Sequence, residues 1–324
     1  MKHERTTFQE QSEQWLMNLS ARRKNPIKPS SLAQFRSHLR RLNDRIGGMP
    51  LEEVTNRTMK DLATVLPGSP KTIQCYLTTA KAIVASAVDS EGNQLYPRTW
   101  NHDFIDAPTI TEQKTPTFTS EQVSDIVKHG GDFSLLFKLA AGTGLRIGEL
   151  LALQYKHRFG RTLKVEQSLW SGRIQPPKTA SSKREVDIPK ELGVQIIEKS
   201  LLEDPNEFVF GLQYPQALRG LHTVLDKLKI EKTGYHAFRR FRATHLGKER
   251  VPNELIKFWL GHSDGDVTAR YDKIEKNLEF RLSEAERVGL GWRDTAASDA
   301  TITTSKFGKR KAGFRVVVAN PECV

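Results

Sequence analysis

Apolar positions in the first ninety residues recur at intervals of three and four. Leu32, Phe35, Leu39, Leu42 and Ile46 form one stripe, which predicts a helix. Ser30 or Ser31 can cap its start, and Gly47-Gly48 can stop it. The faces away from the stripe carry Arg36, His38, Arg40, Arg41 and Arg45. A second stripe of Ile73, Leu77, Ala80, Val84 and Val88 follows Ser69-Pro70, a cap with proline in the first turn. Weaker helical spacing covers about 8–21 and 55–65.

Residues 89–118 lose every period and are punctuated by Pro97, Pro108 and Pro116, so a domain boundary is expected near 110. Helical spacing returns over about 119–129 and 132–153, interrupted at Gly142-Thr143-Gly144. Between 162 and 188 the period changes. Leu163 and Val165 alternate, Ile174 stands alone, and Val186 and Ile188 alternate, with Gly172 and Pro176-Pro177 between the runs. This predicts one small antiparallel meander. Helices resume over about 214–288. The expected architecture is an all-α N-terminal domain over 1–110 and a mostly α domain with a small antiparallel β-sheet (α+β) over 111–290. A tail follows over 291–324.

Charge adds a partner class. The 324 residues carry 50 Lys and Arg against 38 Asp and Glu, a net +12. The excess is distributed, with 15 basic against 11 acidic residues in 1–110, 29 against 24 in 111–290, and 6 against 3 in 291–324. A polyanion, nucleic acid before a membrane surface, suits this balance, and a merely soluble basic protein is the plain alternative. Cys75 and Cys323 show no metal-ligand spacing, which fits a reducing cytoplasm. Neither a signal-like apolar stretch at the N-terminus nor a run of ~18–20 apolar residues is present, so no membrane partner is expected.

Three segments carry candidate chemistry. In TGLRIGEL, Arg146 stands at a helix start with Glu149 three residues on. Helix starts attract phosphate and arginine grips it with two hydrogen bonds, although such a pair is more often a surface ion pair. In HAFRRFRATHL, His236 and Arg239 share a face beside Phe238, Phe241 and Leu246. A basic helix with a buried histidine is the alternative. No HExxH occurs, and His236 and His245 are too far apart for a zinc pair. In FWLGHSD, Gly261 ends a helix. Ser263 with Asp266 can cap the next one, which carries Tyr271, and a lone helical tyrosine is ordinarily a packing residue.

In order and spacing these segments together resemble the tyrosine recombinases, the phage integrase family. TGLRIGEL is similar to the family's first arginine box, PPKTASSKREVDIP to its lysine-bearing hairpin, HAFRRFRATHL to its second box and LGHSDGDVTARYDKI to its third box with the nucleophile. The resemblance covers about 115–275 and departs from the family at Phe238, where leucine is usual. The helices around Arg36 and after Ser69 more loosely resemble the family's core DNA-binding domain, and the stretch after 290 has no clear counterpart.

The resemblance implies a site-specific recombinase or integrase that breaks and rejoins double-stranded DNA through a 3′-phosphotyrosyl intermediate, with no cofactor and no metal. It assigns Tyr271 as nucleophile, His236 as base, Arg146 and Arg239 as phosphate clamp, His262 as a further hydrogen-bond donor, Lys178 as acid and Glu149 as orienting support. Arg36, Arg40, Lys71, Arg240 and Arg242 are the expected DNA contacts. A homotetramer on paired sites is implied, in the cytoplasm with the nucleoid. The segment 275–290, with Leu278, Leu282, Ala285 and Val288 on one side, is then expected to dock on a neighbouring protomer, or else to pack within its own chain. A type IB topoisomerase and a catalytically silent DNA-binding descendant are the rival readings.

Overall fold

The computed structural model describes residues 5–111, 115–176, 183–200, 203–262, 274–294 and 317–318. The chain divides into two compact units, 1–114 and 115–324.

Unit 1 contains helices α1 (Phe8–Ser20), α2 (Pro29–Ile46), α3 (Asn56–Val65), α4 (Pro70–Ala85) and the single turn α5 (His102–Ile105). No strand occurs among its described residues, only isolated bridges such as Thr7 with Pro50. Leu39, Leu42 and Ile46 of the first stripe are buried with Phe8, Met59, Leu62, Leu77 and Ile83. Three details differ from the sequence reading. The cap of α2 is Lys28, with Pro29 in the first turn. The proline brings a preset φ and lacks the N–H a capped turn would leave over, so it starts the helix ahead of Ser30 and Ser31. His38, on the expected polar face, is buried. Its Nδ1 is 2.9 Å from Thr79 Oγ1, and its ring meets Phe35 and Tyr76 edge-on. Val88 falls beyond the end of α4 and is exposed. The Ser69 cap is as expected, its hydroxyl accepting the Thr72 N–H at 3.3 Å, a contact of about 1 kcal/mol.

Unit 2 begins with α6 (Ser120–Lys128), α7 (Ser134–Thr143) and α8 (Ile147–Leu151). Strands β1 (Arg158–Phe159), β2 (Thr162–Val165), β3 (Ser168–Trp170), β4 (Arg173–Gln175) and β5 (Arg184–Asp187) follow. Helices α9 (Lys190–Ser200), α10 (Tyr214–Lys227), α11 (His236–Lys248), α12 (Asn253–Leu260) and α13 (Leu278–Val288) complete the body, and β6 (Val317–Val318) lies in the tail.

The expected single meander is instead two sheets. β2 pairs on one side with β1 and on the other with β5, both antiparallel. β3 and β4 form a separate hairpin, to which β6 adds in parallel. The β2–β5 register sets Leu163 opposite Val186 and Val165 opposite Arg184. Helix α9 falls between 188 and 214, where the sequence pattern assigns no element. Leu192 and Ile196 bury one side of it, and the Glu286 carboxylate accepts its first N–H, from Lys190, at 2.9 Å.

Phe238, the departure from the family's leucine, is fully buried among Phe118, Phe137 and Tyr235, with ring centroids 4.8, 5.9 and 5.8 Å away. The larger ring is absorbed by an aromatic cluster.

Helix α13 corrects another expectation. Its buried face is Arg281, Ala285 and Val288, continued by Leu290 and Trp292 into the core of its own unit, while Leu278 is exposed. Arg281 lies 2.6 Å from Glu185 and 3.0 Å from Asp187 of β5. The face expected to dock on a neighbour is therefore used within the chain. Removing the chain after Lys276 would strip part of the core.

Candidate active site

Helix α12 ends in three consecutive carbonyls that each receive one arginine. Arg184 Nε donates to Trp259 O at 2.7 Å, Arg239 Nη2 donates to Leu260 O, and Arg146 Nη2 donates to Gly261 O at 3.3 Å. The last carbonyls of a helix have no partner within it and sit at the negative end of its dipole, so three cations satisfy them twice over. Three distant segments, the starts of α8, β5 and α11, are thereby gathered at one turn.

Two glycines make the approach possible. Gly261 closes α12 at φ 64°, a left-handed conformation, and a β-carbon there would lie 2.9 Å from Arg184 Nη1. Gly144 closes α7 at φ 66°, and a β-carbon there would lie 2.7 Å from Leu260 Cδ2. The Gly144 carbonyl accepts from Arg239 Nη1 at 2.9 Å. Glycine in the first box is thus fixed by contact with the third, and glycine in the third by contact with Arg184 on β5.

Glu149 organises the arginines. Its Oε1 accepts from Arg146 Nη1 at 3.0 Å and Arg184 Nη1 at 3.3 Å. Its Oε2 accepts the Arg146 backbone N–H and Arg184 Nη2, both at 3.0 Å. Burial alone would push this carboxyl upward, but the Arg184 and Arg146 hydrogen bonds and charges outweigh it and hold the group below its ordinary value. Glu149 is therefore an ionised support.

His236 begins α11 and is exposed. Partial burial of the imidazole, then the charges of Arg239, Arg240 and Arg146, hold it below its ordinary value. The ring is neutral at physiological pH and can accept a proton. Arg239 is buried, and that burial together with Arg146 and Arg184 lowers its affinity for its own proton. His262 follows Gly261, is exposed, and is fixed through its backbone N–H, which donates to Lys257 O at 3.1 Å. Lys178 and Tyr271 lie outside the described residues.

Residues 117–277 match the family model described as the phage integrase family. The chain belongs to the phage integrase family. A relative described as a XerC-like tyrosine recombinase, from Caldanaerobacter subterraneus subsp. tengcongensis, is 25% identical, covering 75% of this chain and 73% of its own. Among solved structures, the Tn1549 transposon integrase in complex with a circular intermediate DNA matches with a TM-score of 0.64 at 21% identity. That match spans 85% of this chain and 98% of the integrase chain. A lambda integrase dimer bound to a COC′ core site matches with a TM-score of 0.62 at 15% identity, over 82% and 95% of the two chains. At these identities the structural likeness is one of fold.

The expected DNA contacts of this integrase-family chain separate into two groups. Arg36, Arg40 and Lys71 are exposed on unit 1, and Arg240 is half-buried, donating to Pro116 O at 3.0 Å. Arg242 is a correction. It is 2% exposed, and its guanidinium donates to Gly289 O at 2.7 Å, which turns it inward toward the chain following α13. Two positions after Arg240 on a helix is about 200° around the axis, so the two cannot share a face.

Arg184 was the residue not singled out from sequence. The signal lay in the alternation of Val186 and Ile188, since position 184 takes the same inward register. An arginine on the buried face of a strand requires an acidic or carbonyl partner.

Proposed function

We propose that this phage integrase family member is a site-specific DNA recombinase acting through a 3′-phosphotyrosyl intermediate at Tyr271. The observation that carries this reading is the convergence of Arg146 and Arg239 on the carbonyls of Gly261 and Leu260, immediately before His262, with neutral His236 within the field of both arginines. Tyrosine has a pKa of about 10 and needs its phenolic proton removed. His236 takes that proton as Tyr271 Oη forms a bond to the scissile phosphorus. The bond from phosphorus to the 5′-oxygen breaks, and Lys178 gives that oxygen its proton. Arg146 and Arg239 neutralise the non-bridging oxygens of the five-coordinate transition state. The reverse steps, with a different 5′-hydroxyl, rejoin the strand. The phosphotyrosyl bond conserves the energy of the broken one, so no nucleotide cofactor is called for.

A solved lambda integrase tetramer on a Holliday junction, matched with a TM-score of 0.60, supports a homotetramer on two paired sites. Acting on DNA, the protein would work in the cytoplasm with the nucleoid. Among the described residues no helix is long and apolar enough to cross a membrane. The type IB topoisomerase and silent-descendant readings are not favoured by the family match.

The test is a nicked suicide duplex, obtained by adduct capture from a randomised pool. Wild type is expected to form a denaturant-stable adduct carrying a 3′-linked strand. Tyr271→Phe is expected to bind the same duplex within a few-fold and form none, because affinity rests mainly on phosphate contacts elsewhere. An adduct formed by Tyr271→Phe would refute the assignment, and strand relaxation without joining of two sites would favour the topoisomerase.

A further inference from the structure

The Arg184 side chain is 1% exposed, so it has no route to a phosphate, yet it touches both α8, through Glu149, and the end of α12. It occupies both oxygens of Glu149 and the carbonyl of Trp259. Each Glu149 oxygen thus carries one bond from Arg184 and one from Arg146, whose own side chain is 33% exposed. We propose that Arg184 is a positioning residue for catalysis, dividing the Glu149 carboxylate so that the Arg146 guanidinium faces outward with its charge available to the scissile phosphate. The inference rests on the proposed role of Arg146.

Charge and geometry both require a third partner. Arg146 and Glu149 alone sum to zero, and a carboxylate with two oxygens to offer closes a two-bond fork on the nearest guanidinium. A phosphate would then meet a neutral pair whose donors are turned away. Arg184 brings the trio to +1 and takes up half of the carboxylate's accepting capacity. Arg146 is left held by one side-chain bond, one backbone bond and the Gly261 carbonyl. The Arg184 guanidinium lies against Gly261, so the carboxylate and the turn that precedes His262 share one buried anchor on β5. Lysine keeps the charge at this position but has no fork with which to reach a carboxylate and a carbonyl together.

The test compares Arg184→Lys, Arg184→Gln and Arg146→Lys in single-turnover cleavage at saturating DNA. The probe is the captured suicide duplex with either a normal phosphodiester or a methylphosphonate at the scissile position. A methyl group in place of one non-bridging oxygen removes the negative charge that Arg146 must neutralise. Both Arg184 variants are expected to cleave the phosphodiester roughly 10–100-fold more slowly, the same order as losing a group that orients a metal ligand. On the methylphosphonate the deficit is expected to shrink at least several-fold, in parallel with Arg146→Lys. Equal deficits on both substrates would overturn the proposal, as would an Arg184→Lys protein too unstable to fold, because either result makes Arg184 merely structural. If Arg146→Lys itself shows no relief on the neutral substrate, the Arg146 role fails first and takes this inference with it.

Discussion

Arg184 and Glu149 form a buried two-bond pair, with Nη2 3.0 Å from Oε2 and Nη1 3.3 Å from Oε1 and side chains only 1% and 3% exposed. Breaking one partner of such a pair strands a charge in the interior and costs about 3–5 kcal/mol. Glu149→Gln is expected to lower the unfolding free energy measured in urea by that order. Glu149→Leu combined with Arg184→Met should lose less than the two single variants summed, since no charge is left behind. Additive losses would show that the pair is not the coupled unit described.

The same carboxylate gives the stability an acid limb. Glu149 is held below its ordinary value in the folded chain, so the unfolded chain binds the proton more readily. Its contribution is fully present above the unfolded carboxylate pKa of about 4.3 and is lost as pH falls through the lower folded value. Titrating wild type and Glu149→Gln by urea unfolding between neutral pH and the acid limb should narrow the gap between them. A gap that stays constant would contradict an ionised Glu149.

A neutral His236 predicts the acid limb of the cleavage rate. Partial burial and the charges of Arg239, Arg240 and Arg146 lower its proton affinity, so the rate should hold steady below the ordinary imidazole value of about 6.5 before it falls. Removing one of those charges, in Arg240→Gln, should move the limb to higher pH when DNA is saturating. A limb that stays in place, or moves to lower pH, would separate His236 from the base.

Arg240 and Arg242 are expected to respond oppositely to substitution. Arg242→Met strands the Gly289 carbonyl it now satisfies and should cost stability, with the salt dependence of DNA binding unchanged. Arg240→Gln should leave the fold alone and, if Arg240 meets a phosphate, reduce the slope of log affinity against log salt by about 1. A changed slope in Arg242→Met alone would reverse this assignment.

The boxes were legible because each packs its reactive residues into a few neighbouring positions, and in the first and third these stand beside a glycine. Gly144 and Gly261 end helices, and the residues beside them are brought together in the fold. What escaped the sequence was pairing over distance. No local period says that β2 takes β5 as its partner while β3 and β4 form another sheet. Arg184 is invisible as a site residue until β5 is known to face Glu149. Arg242 looked like its neighbour Arg240 because charge was read along the sequence, whereas the helix sends one outward and one in. His38 was misread for the same reason, since its partner Thr79 lies in another helix.

The last prediction decides which lysine supplies the leaving-group proton. Lys183 is exposed and immediately precedes Arg184, whose burial fixes the start of β5, while Lys178 stands five residues earlier in the hairpin sequence. Both lysines could simply touch the DNA backbone. An alkoxide leaving group has a conjugate acid near water's pKa of about 15.7 and needs a proton, whereas a thiolate, from a thiol of about 8.5, does not. Lys178→Ala is expected to cleave the normal substrate on the order of 10²–10⁴-fold more slowly, as for other lost acids. With sulfur in place of the bridging 5′-oxygen, the same variant should approach the wild-type rate, and Lys183→Ala should show no such selective recovery. Sulfur rescue of Lys183→Ala instead would move the acid five residues along, to the foot of β5. Rescue of neither would leave lysine as an electrostatic group and require another proton source for the departing oxygen.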